Sequence, residues 1–336
     1  MLHAQASSER GSALFVKFAC SRCHGAQAEG DYGPRLAGAD LDFEAVRRQV
    51  RNPKGLMPKF PEDRLGKGDL EDIYAFLQSL APDIEVYPTW FGTDLLNLPT
   101  PETPDPHELE VHFSHRFAQS TSDAGREGLY GLDSFAFPAF YFIQGLTERL
   151  AVYGGRSSNL ATWEYGTKVR LLEEGQIGLP ISVGATIGGT FLDANGISNN
   201  NRFVAEIPVG VRLHDRVSFL AVPFFTTNPD ELDNPDSDDY SAALGLGGTF
   251  RVTPHYSIDA EWIRNVGGFK RRDAVDQWQA ALGIKVGGHV FQLLVSNSIF
   301  TTPDFMAAGT QNTGVKGNIR LGFNLVRSFR FIGSGG

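Results

Sequence analysis

Cysteine, methionine and long apolar runs are scarce in this chain of 336 residues. Its two cysteines are too few for a zinc ribbon, which takes four ligands. The longest apolar run, FAFPAFYFI at residues 135–143, falls well short of the ~18 residues that a membrane-spanning helix needs. The sequence therefore excludes a membrane helix and leaves a membrane β-barrel open.

An excess of basic residues is also absent. The chain has 30 Lys and Arg against 39 Asp and Glu, which gives a net charge of −9. A chain of this charge is not expected to bind nucleic acid. Residues 1–81 carry 11 basic and 11 acidic side chains, so the whole net charge belongs to the rest of the chain.

The first residues match the end of a secretory signal. Ala4, Gln5 and Ala6 form the small-x-small pattern of a signal-peptidase site. A chance match is the alternative, because no charged or apolar region precedes them. Our interpretation is that residues 1–7 are the remnant of a signal peptide.

Both cysteines lie in the segment CSRCHG, where Cys20 and Cys23 stand beside His24. A redox-active C-x-x-C pair is one interpretation, but it needs no histidine and normally lies between a strand and a helix. C-x-x-C-H is the attachment signature of c-type haem. Two thiols one helical turn apart reach the two vinyl groups, and the adjacent imidazole ligates the iron. Upstream, Ala13, Phe15, Val16 and Phe18 have helical spacing, which predicts a helix that presents the motif.

A sixth iron ligand must come from elsewhere in the chain, and Met57 is the only methionine of this region. A lone methionine in an apolar loop usually fills a packing gap. Because Met57 follows the haem motif by 33 residues, we predict instead that it ligates the iron. Beyond it, an amphipathic pattern over residues 69–80 predicts a helix.

Residues 8–81 resemble a class I mono-haem cytochrome c, a small all-α domain. The resemblance lies in CSRCHG, in GPRLAG at 33–38, in LMPKF around Met57 and in DIYAFLQSL at 72–80. It implies one covalent haem c, with thioether links to Cys20 and Cys23. It also implies His24 as proximal ligand, Met57 as distal ligand, a Pro34 carbonyl that orients His24, and Leu36 packing on the haem. Met/His ligation closes both axial positions, which favours an electron carrier over an enzyme.

Residues 82–108 contain six prolines. This composition predicts an extended linker between two domains.

Alternating apolar and polar residues dominate the rest of the chain. Tyr256 and Ile258 point one way, for example, while Ser257 and Asp259 point the other. We predict about twelve strands, which begin near Leu109, Ala136, Arg149, Trp163, Pro180, Arg202, Val217, Tyr240, Tyr256, Trp278, His289 and Gly317. No helical pattern is evident between them.

The connections between these strands alternate between short turns and long loops. A soluble β-sandwich is the alternative fold, but it has no reason for such regularity. An outer-membrane barrel has short periplasmic turns and long outer loops. We therefore predict an antiparallel transmembrane barrel over residues 109–331. An even strand count would place the haem domain on the periplasmic side.

Two further resemblances support the barrel. The terminal VRSFRF resembles the assembly signal of outer-membrane proteins. FSHRF (113–117), GLDS (131–134) and IRLGFNL also resemble a barrel family known mainly as a domain of unknown function, which implies a fold and no activity.

Some polar residues of the barrel have no evident role. Six acids, Asp230, Glu231, Asp233, Asp236, Asp238 and Asp239, fall in one predicted outer loop. A solvated loop is one interpretation, and a site for a hard cation or a basic partner is the other. His112 and His115 should lie on opposite faces of the first strand, so they cannot chelate one metal together.

The layout is similar to that of fused cytochrome–porins that oxidise ferrous iron at the cell surface. One hypothesis is therefore electron transfer at the outer membrane, with an extracellular donor or acceptor such as iron. The alternative is a periplasmic carrier for redox partner proteins, anchored to a barrel that serves as a pore or an anchor. In both, the barrel contacts outer-membrane lipid.

Overall fold

The computed structural model describes residues 6–39, 41–54, 57–80, 87–194, 201–232, 234, 236–311 and 319–330. The chain divides into two compact units, of which the second begins at Tyr87. Residues 1–5 lie outside the described residues, so the signal-peptide remnant stays a prediction. Among the helices described, none has both the length and the apolar character to cross a membrane.

The first unit is helical, as predicted. Its helices are α1 Ser8–Lys17, α2 Ser21–His24, α3 Phe43–Arg51 and α4 Lys67–Ser79. Ser7 caps α1 by accepting a hydrogen bond from the Arg10 N–H, and Asp42 caps α3 by accepting one from the Ala45 N–H. The sequence analysis did not identify α3.

The core of this unit lies between α1 and α4. The rings of Phe15 and Phe76 pack with their centroids 5.5 Å apart. The buried face of α1 differs from the one we predicted, because Leu14 and Phe15 are buried while Val16 is 60% exposed. Asp72 of α4 accepts hydrogen bonds from the Ser7 N–H at 2.7 Å and from Arg10 at 2.6 Å, which ties the start of α1 to α4.

The second unit is built from antiparallel strands. They are β1 Glu108–Phe117, β2 Ala136–Gly145, β3 Leu150–Ser157, β4 Thr162–Leu172, β5 Ile181–Leu192, β6 Asn201–Glu206, β7 Val209–His214, β8 Val217–Thr227, β9 Tyr240–Thr253, β10 Tyr256–Gly268, β11 Ala274–Val275, β12 Gln277–Val286, β13 His289–Ser296, β14 Thr310–Gln311 and β15 Arg320–Arg330. The predicted strand starts agree within a few residues. The exception is Gly317, which lies outside the described residues.

The sheet closes on itself into a barrel. The strands of the wall pair side by side in chain order, apart from the short strands described below, and β1 pairs with β15 from Glu108↔Arg330 to Arg116↔Gly322. β6 and β7 both run between β5 and β8, so they form one strand interrupted at Ile207 and Pro208. The two-residue strands β11 and β14 pair only with each other. The barrel therefore has twelve strands, as predicted.

The two faces of the barrel wall differ in polarity. Outward side chains such as Phe140, Ile187 and Leu293 are exposed, while inward ones such as Glu110 and Glu261 are buried. Exposed aromatic residues form a belt near each rim: Trp163, Tyr165, Phe203, Tyr240 and Trp278 at one end, and Phe219, Phe250, Tyr256, Phe291 and Phe329 at the other. This is the exterior of a membrane barrel.

The loops at the two ends differ in length. At one rim, here called the short-turn end, two-residue turns join β7 to β8, β9 to β10 and β12 to β13. The opposite rim, the long-loop end, carries a long insertion between β1 and β2 with helix α5 Thr121–Ala124, and another between β13 and β15 with helix α6 Pro303–Ala307. We predicted no helix among the strands. These helices were missed because four or five residues are too few to show a helical period.

The predicted linker differs most from the structure. Residues 87–107 do not extend away from the barrel but fold into it as a hairpin, here called the luminal hairpin. Leu98 and Thr100 are fully buried, and Trp90 is 5% exposed. The prolines shape turns here, while Trp90 and the leucines supply apolar surface that is stabilised by burial.

Candidate functional site

The haem motif forms one tight helical turn. The His24 N–H donates to the Cys20 carbonyl at 3.0 Å, and the Cys23 N–H does so at 3.2 Å. Gly25 follows at φ 82°, which ends the helix after His24. The turn therefore places both cysteines and the imidazole on one short element.

The His24 side chain is fixed in one orientation. Its ring is 8% exposed, and Nδ1 lies 2.8 Å from the carbonyl oxygen of Pro34. A carbonyl only accepts hydrogen bonds, so Nδ1 carries the proton and Nε2 keeps a free lone pair. The imidazole is thus in the tautomer that a metal ligand requires.

Gly33 lets the loop approach this ring. A Cβ on Gly33 would lie 2.7 Å from His24 Cε1 and 2.8 Å from Nδ1. The Gly33 N–H also donates to the Cys23 carbonyl at 2.6 Å. The segment from Gly33 to Pro34 therefore holds the imidazole from behind.

Met57 and Leu36 lie at the edge of the helical core. Both are half-buried and pack against it, together with Phe18 and Val46. The Gln49 side chain lies 3.7 Å from the Met57 sulfur, and sequence reasoning gave no signal for this contact. The ligand roles of these residues stay a prediction.

The residues present fit a c-type haem. A thioether, an imidazole with a free Nε2 and two thiols belong to one small unit, and half-buried apolar side chains surround them. The two cysteines are not joined by a disulfide. Burial, more than the neighbouring Cys23, raises the pKa of the Cys20 thiol to about 11, so it is protonated at neutral pH. A redox pair would instead need a reactive thiolate.

The luminal hairpin enters the barrel at the short-turn end. Arg216, in the turn between β7 and β8, donates to the Tyr87 hydroxyl at 2.6 Å. Arg251 donates to the carbonyls of Pro88 at 3.0 Å and Thr89 at 3.1 Å. The first residues of the hairpin are thus held by side chains near this rim.

A single carboxylate holds the tip of the hairpin. Glu261 of β10 accepts the backbone N–H groups of Leu96 at 2.7 Å, Asn97 at 3.1 Å and Leu98 at 3.0 Å. The Leu95 N–H donates to the Leu98 carbonyl at 2.9 Å, which closes the turn. Charge-assisted hydrogen bonds of this kind are about twice as strong as neutral ones.

The barrel wall leaves room for this tip. A Cβ on Gly245 of β9 would lie 2.5 Å from Leu98 Cδ2. After the tip, the chain returns to the short-turn end, where Arg170 donates to Glu102 at 3.1 Å and Thr103 to the Glu148 carbonyl at 3.1 Å. It then continues into β1.

A second segment enters the lumen from the long-loop end. Phe305 and Met306 of α6 are 1% exposed, and Asp304 forms a fully buried ion pair with Arg202 at 2.5 Å. Asn97 at the hairpin tip donates to the Phe300 carbonyl at 3.2 Å. The two luminal segments therefore meet inside the barrel.

Residues 90–329 match the family model described as Membrane bound beta barrel domain (DUF5777). The chain belongs to this family. Residues 6–77 match a second model, described as cytochrome C oxidase, cbb3-type, subunit III. The protein is thus a cytochrome c domain fused to an outer-membrane barrel, and the cytochrome c domain implies a c-type haem.

Solved porins are similar to the barrel at low identity. A KdgM porin aligns with a TM-score of 0.41 and 8% identity, over 67% of this chain and 99% of its own. A NanC porin aligns with a TM-score of 0.42 and 8% identity, over 66% of this chain and 100% of its own. An outer membrane channel from Pseudomonas putida F1 aligns with a TM-score of 0.42 and 16% identity, over 67% of this chain and 96% of its own. No curated protein matches the chain.

The two histidines of this barrel's first strand lie on opposite faces, as predicted. His112 is buried in the lumen, where Nε2 lies 3.0 Å from Glu110 and the ring stacks on Tyr141 at 4.1 Å. His115 faces outward and stacks on Phe323 at 4.9 Å.

The acidic loop between β8 and β9 forms hydrogen bonds within itself and with Arg271. Arg271 donates to Glu231 at 3.1 and 3.2 Å, and Asp230 accepts from Ser237 at 2.8 Å. Within the described part of the chain, no group of three or more His, Cys, Asp or Glu could hold a metal ion. Asp233 lies outside that part.

Proposed function

We propose that this protein carries electrons at the outer membrane through one covalent c-type haem. Cys20 and Cys23 would bind the haem by thioether links, and His24 and Met57 would ligate the iron. The observation that carries the proposal is the hydrogen bond from His24 Nδ1 to Pro34, which leaves Nε2 free beside the two thiols. The bound haem would supply one-electron exchange, and Met/His ligation would favour a high reduction potential.

Haem staining of a denaturing gel tests covalent attachment. Wild-type protein from a host that matures cytochromes c should retain a stained band. Cys20→Ala/Cys23→Ala should lose it, whereas Arg22→Ala, an exposed change between the cysteines, should keep it. Staining of the double variant equal to wild type would contradict the proposal.

We also propose that the haem domain lies on the periplasmic side. The luminal hairpin, which follows the haem domain in the chain, begins and ends at the short-turn end. Short turns face the periplasm in outer-membrane barrels. An epitope inserted after Glu62 of the haem domain should react with antibody only in permeabilised cells. One inserted at Leu232, which is 84% exposed in a long loop, should react in intact cells. The reverse result would overturn this orientation.

The plugged lumen favours a periplasmic redox partner and a barrel that serves as an anchor rather than a wide pore. The hairpin and α6 occupy the space through which a protein or another large molecule would have to reach the haem. A tether also raises the local concentration of a carrier, to about the millimolar range for a short linker.

Proteoliposomes can distinguish a periplasmic electron carrier from one that exchanges electrons with extracellular iron. The haem domain would face the interior, checked by protease protection, with a reductant inside and a membrane-impermeant ferric acceptor outside. We expect no haem-dependent reduction outside. Reduction that the Cys20→Ala/Cys23→Ala variant abolishes would instead show electron transfer across the barrel.

A further inference from the structure

The lumen of the barrel is divided lengthwise into an apolar and a polar side. On one side, here called the apolar side, inward residues of β8–β13 form an apolar cluster with the hairpin and α6, in which Val222, Ile263 and Leu294 are at most 4% exposed. Buried polar side chains such as Asp259, Glu261 and Gln279 lie beside this cluster. On the polar side, formed by β1–β6, the inward residues include Tyr141, Tyr153, Glu164, Lys168, Thr186, Thr190, Arg202 and Glu206. The hairpin and α6, together called the plug, therefore have this apolar packing on one side of the lumen only.

The strand register arranges the polar side in rows. Glu164, Thr190 and Arg202 are neighbours across β4, β5 and β6. Lys168, Thr186 and Glu206 form a second such row. The row between them consists of Gly166, Gly188 and the buried Val204, and the Tyr153 hydroxyl lies over both glycines.

Several buried polar atoms on this side have no hydrogen-bond partner among the described residues. They are Tyr141 Oη, Arg170 Nε, Thr186 Oγ1, Thr190 Oγ1, Arg202 Nε and Nη2, and Asp304 Oδ1. Arg202, Thr190 and Asp304 are each at most 2% exposed. Buried polar groups are almost always hydrogen-bonded, so these atoms indicate bound water along the polar side.

Solvent also reaches inward side chains here. The Asp94 side chain is 21% exposed although it belongs to the luminal hairpin. Tyr141, Tyr153 and Glu164 are likewise only half-buried, whereas Gln277 and Gln279 on the apolar side are at most 1% exposed. The space is thus open to water-sized molecules.

Acidic side chains outnumber basic ones in this space. Five carboxyl groups face it: Asp94, Glu110, Glu164, Glu206 and Asp304. They outnumber the three cations Lys168, Arg170 and Arg202, even when His112 is counted as a fourth. A narrow passage lined by an excess of one sign concentrates ions of the opposite sign.

We propose that the polar side of the lumen is a hydrated passage for small cations, which runs past the luminal hairpin. Anions and larger solutes would be excluded by the carboxylates and by the plug. This role concerns the barrel alone and does not depend on the haem ligation proposed above.

Planar-bilayer recording of the full haem-loaded protein tests the passage. A potassium chloride gradient should give small unitary currents with a reversal potential that shows preference for potassium. Glu164→Gln/Glu206→Gln should reduce the permeability ratio of potassium to chloride by about threefold or more. The control Glu173→Gln removes one carboxyl group from an exposed turn and should leave the ratio unchanged.

A second variant keeps the test valid if the double variant fails to fold. Thr186→Trp should fill the space between the rows and reduce the unitary current several-fold while keeping the haem spectrum. Folding of each variant is checked by its shift on unheated gels. Absence of currents from folded wild type, preference for chloride, or equal effects of Glu173→Gln and the double variant would each overturn the proposal.

Discussion

The two units of this protein distribute polarity in opposite ways. The helical unit buries Leu14, Phe15 and Phe76 and keeps most of its charged residues at the surface, with Asp72 as an exception. The barrel exposes Phe140 and Phe142 on its wall and buries Glu110, Arg116 and Lys168 inside. Both arrangements follow from the rule that apolar surface avoids water. The helical unit is surrounded by water, whereas the wall of the barrel is surrounded by lipid.

The difference shows why the interior of the barrel needs a plug. A ring of inward charges without partners would be costly to bury. The luminal hairpin supplies backbone and side-chain partners, such as the three N–H groups that Glu261 accepts. The helical unit needs no such segment because its centre is apolar from the start.

The largest effect is expected from a charge at the hairpin tip. Leu98→Asp would place a carboxylate at a fully buried position beside Gly245. We expect the free energy of barrel unfolding to fall by about 4 kcal/mol or more. Urea unfolding in detergent, followed by tryptophan fluorescence, measures it. Leu232→Asp, in an exposed loop, is the control, and equal effects would show that the tip does not stabilise the barrel.

Two Phe→Ala substitutions compare the units directly. Phe15→Ala should destabilise the helical unit by about 3–5 kcal/mol because the ring is buried against Phe76. Phe140→Ala removes an outward ring that is 49% exposed in the absence of lipid, and should cost the barrel about 1 kcal/mol. Haem absorbance follows unfolding of the helical unit, and gel shift follows unfolding of the barrel. Each variant should shift only the unfolding transition of the unit that carries it. A shift of both transitions by either variant would contradict their independence.

The two methionines beyond Met1 offer another comparison between the units. Met57→Ala should abolish the weak far-red absorption band expected of ferric Met-ligated haem and lower the reduction potential. Met306→Ala changes a buried methionine of α6 and should leave both unchanged. Absorption spectra and potentiometric titration give the result. A retained band in Met57→Ala would assign the sixth ligand elsewhere.

Sequence patterns predicted the fold well wherever a local rule applied. The alternation along strands such as β10 predicted both the strand and its inward face, because neighbouring side chains point to opposite faces of a strand. The C-x-x-C-H motif predicted the helical turn around His24 for a similar reason, since the spacing itself encodes the geometry.

The luminal segments could not be predicted because long-range contacts define them. The proline content of residues 82–108 indicated an extended chain, yet the hairpin is held by Glu261, a residue more than 160 positions away. Helix α3 was missed although Asp42 provides a capping signal. Asp304 of α6 forms a buried ion pair with Arg202, which no pattern in either segment reveals.

The smallest effect is expected at the loop behind the imidazole. Gly33→Ala would bring a Cβ within 2.7–2.8 Å of the His24 ring, so the ring or the loop must shift. We expect a weaker hydrogen bond to Pro34 and a modest change in reduction potential, without loss of haem. Gly68→Ala is the matched control, because its Cβ would meet nothing within 4 Å. Since Gly68 lies in helix α4, that change should stabilise the unit by up to about 1 kcal/mol. An unchanged potential in Gly33→Ala would show that the position of the ring does not depend on this loop.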